Sequence, residues 1–367
     1  MRFFAILIFA SVLSALSLFA SADNDEKPPI YHQVVDQLTS EQYMPLLDVW
    51  LEQQSFTEQE LAVIGAIKAY KKREFEAGLE MLEPTHLQGN LPEAHYWAGR
   101  IYGQQASAAS VFKAGGLAES ALESFQRSVD IDPKFIEGYK ALVQYYIRAP
   151  FFAGGSVKKA QQTANIIATI DPIEGVLARI QIAASEDDSK TLMQQTNELA
   201  TLLNSELEAN TSANDKGEIA GYFFTIAMTQ MQAEDYASSR ENLAKALGLT
   251  QHINEQTAGT TGDKEISILQ QMKLSNLRNL QQSIRYQSGR LGVLSKQDVS
   301  LSIEALTAFL NGPEHPSYEP HWAKLRLAQL LQLDGQITKA KEFVEQLPDV
   351  DNDRFTSLKK KLAKQLR

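Results

Sequence analysis

Cysteine is absent from the chain. That excludes a disulfide framework, and it also excludes lipid attachment at an N-terminal cysteine. A basic balance is missing too: 35 Lys and Arg stand against 45 Asp and Glu, a formal net charge of −10. A nucleic-acid binder usually carries a basic face or a raised pI, so no nucleic-acid partner is expected. There is no βαβ alternation and no run of strand-like hairpins. The catalytic and cofactor signatures are lacking as well. No His-Glu-x-x-His pair, no Gly-Lys-Ser/Thr phosphate loop and no Gly-x-Ser-x-Gly elbow occurs.

What is present is a returning spacing. Near the C-terminus it runs Leu327, Ala328, Leu331, then Gly335, Ala340, Val344 and Leu347. It recurs in Ile226, Ala227, Gln230, then Ser239, Leu243 and Ala246, with Glu234, Asp235 and Tyr236 making the turn. The small residue of the first helix precedes that of the second by 12 positions in both copies. Two copies carry insertions. One joins Ala98, Gly99 and Tyr102 to Ala121, Phe125, Ser128 and Pro133, with about ten extra residues supplied by 103–120. The other joins Leu142, Val143 and Tyr146 to Ala160, Ala164, Ile167 and Pro172, with about five more in 149–155. A weaker unit has Ala66, Phe75, Gly78 and Leu82. Small residues admit close backbone approach where helices cross, and larger ones fill the hollows between. Asp-Pro at 132–133 and 171–172 ends a second helix, since proline disfavours helical geometry in the residue before it.

This grammar resembles the tetratricopeptide repeat, a helix–turn–helix unit of about 34 residues. The resemblance implies an all-α fold, a right-handed superhelical solenoid of about seven antiparallel helix pairs. Residues 56–250 read as repeats with the two insertions, 251–262 as a polar inter-repeat loop, and 263–350 as further repeats. Residues 23–55 read as an N-terminal helical cap. Residues 351–367 read as a basic C-terminal capping helix, in which Leu358, Leu362 and Leu366 recur every four residues.

The first 22 residues have the form of a secretory signal peptide. Arg2 gives a short positive region, Phe3 to Phe19 are nearly all apolar or small, and Ala20-Ser21-Ala22 fits cleavage after Ala22. Removal makes the net charge one unit more negative. A cysteine-free exported chain suits a bacterial periplasm, with no stable membrane insertion after cleavage.

The remaining chemistry is thin. His315 and His321 flank Pro316, Tyr318 and Pro320, a loop that reads as the approach to the last repeat and not as a zinc site. Asp349, Asp351 and Asp353 imitate a calcium loop, but Arg354 and Lys360 stand where glycine and glutamate are needed. Ser156 reads as the N-cap of a helix bearing Lys158 and Lys159. No catalytic residue, metal or cofactor is expected. By resemblance, the first helix of each pair lines a concave face that holds a peptide or partner protein. Those positions are Tyr70, Tyr96, Arg100, Lys140, Gln144, Arg148, Phe224, Met228 and Met231. Arg100, Lys140 and Arg148 are the expected carboxylate-binding cations, and Phe224, Met228 and Met231 an adaptable apolar patch. They match only part of the two-carboxylate clamp of some members, whose asparagines are not evident. The expected function is therefore a non-catalytic interaction scaffold. A self-assembling structural protein of the cell envelope, or a cell-wall-processing enzyme or its regulator, is the alternative.

Overall fold

A computed structural model describes residues 56–83, 91–209, 213–260 and 268–367. The expected signal peptide and N-terminal cap lie outside the described residues. The chain divides into two compact units, Met1–Ala209 and Asn210–Arg367.

The first unit contains α1 (Glu58–Lys71), α2 (Phe75–Leu82), α3 (Pro92–Ala108), α4 (Val111–Ile131), α5 (Ile136–Arg148), α6 (Val157–Ile170), α7 (Pro172–Ser185) and α8 (Ser189–Glu208). The second contains α9 (Ala213–Gln232), α10 (Tyr236–Thr260), α11 (Ile268–Ser295), α12 (Val299–Leu310), α13 (Pro320–Leu333), α14 (Ile337–Glu345) and α15 (Asp353–Gln365). Each helix packs most extensively on its neighbours in sequence. Odd-numbered helices also touch one another in turn: α1 meets α3, α3 meets α5 and α5 meets α7, while α9 meets α11, α11 meets α13 and α13 meets α15. Each unit is an all-α helical-repeat stack of antiparallel helix pairs. Among the described residues no helix is long and apolar enough to cross a membrane.

The returning spacing is a set of physical contacts. Ala227 and Ser239 are both fully buried, and the Ser239 hydroxyl donates to the Ala227 carbonyl at 2.7 Å. Ala328 and Ala340 are likewise 0 % exposed. In the pair with the long insertion, a Cβ on Gly99 would lie 2.6 Å from the Phe125 ring and 3.1 Å from the Ala121 carbonyl. Only glycine fits there. Gly175 is tighter still, with a Cβ meeting Ala168 Cβ at 2.4 Å and its Cα at 2.5 Å.

Four of the turns share one hydrogen-bond signature. Glu74 N–H donates to Ala69, Asp188 to Ala183, Asp235 to Gln230 and Gln336 to Leu331, all at 2.9–3.0 Å. This six-to-one bond closes a helix when the preceding residue is left-handed. Arg73, Asp187, Glu234 and Gly335 hold that conformation, with φ of 61°, 55°, 63° and 78°.

Two expectations need correction. The extra residues of 103–120 are not inserted between the two helices but lengthen both, leaving only Ala109 and Ser110 between α3 and α4. This overhang leaves Phe112 99 % exposed, and Phe151 and Phe152 are nearly as open in the 3-10 turn Phe151–Ala153. The polar loop expected at 251–262 is helix as far as Thr260, the end of α10. No proline stands between Pro172 and Pro313, so nothing in that stretch enforces a stop.

In the second unit, α15 covers the last pair with Phe355, Leu362 and Leu366 buried and Leu358 packed beside them. The Lys359 ammonium donates to the Leu347 carbonyl at 2.8 Å and pairs with Asp349 at 3.0 Å.

Candidate functional site

Three of the expected positions converge. Arg100, on α3, lies one helical turn after Tyr96 and reaches across to Tyr70 on α1. Its guanidinium donates to the Tyr96 hydroxyl at 2.7 Å and to the Tyr70 hydroxyl at 3.4 Å. It also stands 5.3, 5.4 and 5.6 Å from the ring centres of Trp97, Tyr70 and Tyr96. The rings support one another edge to face. Trp97 is 5.4 Å from Tyr70 and 5.5 Å from Tyr96, while Tyr96 packs on Phe125 and Phe135. Cation–π attraction and two phenol oxygens hold the charge in place. The Tyr96 oxygen raises the Arg100 pKa and outweighs burial, which lowers it; Tyr70 adds to the rise. Among the described residues, no carboxylate makes an ion pair with Arg100. Trp97 Nε1 is buried at the edge of this box without a hydrogen-bond partner among the described residues.

Lys140 behaves differently. It lies on α5, and its ammonium pairs at 2.9 Å with Glu174 on α7. Their side chains are 18 % and 4 % exposed. Burial alone would lower the Lys140 pKa, but the Glu174 and Glu137 charges and the Glu174 hydrogen bond reverse this and hold the lysine above its ordinary range. Lys140 is thus a neutralised strut between successive first helices, which corrects its assignment as a binding cation. Gln144 is half-buried and Arg148 exposed at the end of α5.

The apolar patch is also corrected. Phe224 and Met231 are each 4 % exposed, and only Met228 is half-open. From Ile219 to Met231 nearly every α9 residue is buried, including Thr225, Thr229 and Gln230. A helix buried all round belongs to the core.

Sequence reasoning missed Trp97 and Glu174. Trp97 adjoins Tyr96, and Glu174 follows Lys140 by 34 residues, one repeat length. A cation and an acid one repeat apart on first helices was the available signal.

The loop histidines have protein partners. His315 Nε2 meets the Ser283 hydroxyl at 2.9 Å, and its Nδ1 accepts from the Ser317 N–H at 3.0 Å. His321 lies 3.1 Å from the Glu319 carboxylate and edge-on to Phe355. Among the described residues no three His, Asp or Glu side chains are grouped to hold a metal ion.

No family model matches this chain, and no curated protein matches it. Among solved structures it is similar to Pseudomonas aeruginosa PilF at 14 % identity, with a TM-score of 0.39, covering 69 % of this chain and 91 % of that one. It is also similar to a monomeric mutant of IFIT1 solved with Gppp-AAAA, at 14 % identity and a TM-score of 0.36, covering 98 % of this chain and 80 % of that one.

Proposed function

We propose that this chain is a non-catalytic, exported scaffold that binds a protein or peptide partner, with Arg100 receiving a partner's carboxylate. The observation that carries the reading is a half-buried guanidinium framed by Tyr70, Tyr96 and Trp97, with no carboxylate partner among the described residues. A desolvated charge without a counter-ion is costly. Its planar fork suits bidentate capture of a carboxylate, and three aromatic faces supply contact area around it. The mutual contact of α1, α3, α5 and α7 supports placing the first helices on the inner side of the stack. Export to the periplasm rests on the signal-like first 22 residues.

The test uses immobilised acidic peptides with a free terminal carboxylate beside their amidated counterparts. Binding to the wild type should depend on a carboxylate. It should weaken about tenfold or more with Arg100→Gln, the worth of one charge-assisted hydrogen bond. Equal binding by wild type and variant overturns the assignment.

A second reading, self-assembly, is favoured by Phe112, Phe151 and Phe152, whose exposure is 99 %, 91 % and 84 %. Exposed apolar groups of this size mark contact surfaces. Light scattering decides it: a monomer at every concentration excludes assembly, whereas an oligomer abolished by Phe151→Ser with Phe152→Ser supports it.

A further inference from the structure

The second unit holds a different cluster. Arg326, on α13, donates from Nε to the Tyr286 hydroxyl of α11 at 3.2 Å and lies 5.3 Å from the centre of that ring. Tyr286 stacks on Tyr318 at 4.3 Å with their planes 15° apart. The Tyr318 hydroxyl accepts from Gln287 at 3.1 Å, and Gln287 in turn accepts from Arg290 at 3.3 Å. Arg290 follows Tyr286 by one helical turn, so it shares the face that Arg326 covers. Arg354, exposed in the first turn of α15, adjoins the fully buried Phe355. Arg285 stands at the margin, donating to Gln282 at 2.9 Å. Gln282 is itself fixed by the Phe309 and Pro313 carbonyls, both at 3.0 Å.

Among the described residues none of these four arginines makes an ion pair with a carboxylate. Glu319, close in sequence to Tyr318, is engaged by His321. Arg326 and Arg290 thus flank one tyrosine stack, and burial, then the Arg326 charge, lower the Arg290 pKa. Two guanidiniums on a rigid aromatic and amide frame, with no ion pair to a carboxylate among the described residues, suit a multiply charged anion. Guanidinium forks match phosphate oxygens bidentately.

We propose that Arg290 and Arg326 of the second unit, on either side of the Tyr286–Tyr318 stack, form a binding site for a phosphate group. The site is independent of Arg100 and does not rest on the carboxylate reading.

Titration of the full chain at constant ionic strength tests it, with three probes: inorganic phosphate, a soluble phosphate monoester, and vesicles containing phosphatidic acid. At least one probe should bind saturably, and Arg290→Met or Arg326→Met should weaken that binding about tenfold or more. Arg326→Lys keeps the charge but loses the fork, and its loss should be intermediate. A thermal melt of each variant confirms that it folds. Lys360→Met with Lys361→Met, on the exposed side of α15, should change nothing. The tightest probe identifies the source of the phosphate. The proposal is overturned if no probe binds, if chloride at equal ionic strength competes equally, or if the lysine variant loses as much as the arginine variants.

Discussion

Lys140 in the first unit and Arg290 in the second are first-helix cations held in opposite ways. In the first unit, Lys140 is neutralised by Glu174 at 2.9 Å and Arg100 is enclosed by three rings and two phenol oxygens. In the second, Arg290 is held by Gln287 and Arg326 by Tyr286 around one tyrosine stack, with no ion pair to a carboxylate among the described residues. A place on the first-helix row therefore does not decide whether a cation is structural or available to a ligand. The presence of a counter-ion one repeat away does.

The sharpest way to break this contrast is to remove charges on each side of it. Glu174→Ala leaves the Lys140 ammonium, 18 % exposed, without its partner. Stranding one member of such a pair costs up to about 3 kcal/mol, whereas Lys140→Met with Glu174→Leu should be nearly neutral. Arg290→Met should have the other sign, because it relieves repulsion from Arg326 and Arg354 while keeping an apolar stem in place. Denaturant midpoints of the three variants measure both effects. If Glu174→Ala and Arg290→Met shift stability in the same direction, the distinction between strut and ligand site is wrong. By the same logic Lys140→Glu would set two carboxylates against each other in a buried position and should destabilise the first unit.

The two units also share something, and Ala328→Phe tests it. The 12-residue interval places a small residue at a helix crossing, with Ala328 against α14 and Ala227 against α10. A ring at Ala328 has no space to occupy and should cost on the order of 1–3 kcal/mol. An unchanged melting temperature would show that the repeat register is misplaced in the second unit.

That register was legible in the sequence because close packing leaves a compositional mark: alanine, glycine or serine at Ala98, Gly99, Ala121, Ala160, Ala227, Ser239, Ala328 and Ala340. The turns were less visible. Their left-handed position is glycine only at Gly335 and is Arg73, Asp187 and Glu234 elsewhere, so composition did not announce the shared hydrogen bond. The end of α10 was misread because Gly and Thr weaken a helix without stopping it. At the site, Tyr70, Tyr96 and Arg100 follow from their placement on first helices. Phe224 and Met231 fail because periodicity does not separate a buried face from an open one when α9 is buried on every side. Lys140 fails because its partner lies 34 residues away. The arginine cluster needed three dimensions, since Arg290 and Arg326 come from different helices and meet across Tyr286 and Tyr318.

A smaller effect sharpens the comparison through pH, and it belongs to the second unit. His315 Nδ1 accepts the Ser317 N–H at 3.0 Å, and the ring rests 4.5 Å from Tyr318, which stacks on Tyr286. Protonating Nδ1 would set one N–H against another and release the loop that holds Tyr318. Burial lowers the His315 pKa, opposed by a hydrogen bond that the ring donates to the Asn279 backbone. The folded-state pKa thus lies below the ordinary value of about 6.5. The neutral ring contributes its stability fully above that value, and the contribution is lost as pH falls through the folded-state pKa. Denaturant midpoints at pH 7.5 and 5.5 should therefore differ more for the wild type than for His315→Asn, which keeps an acceptor for Ser317 but does not titrate. Because Tyr318 also anchors the chain of contacts to Arg290, phosphate binding should weaken over the same interval in the wild type, beyond any change due to phosphate's own protonation. Equal pH dependence in wild type and His315→Asn, for both stability and binding, would separate the histidine from the arginine cluster and leave only the guanidiniums to define the second unit's site.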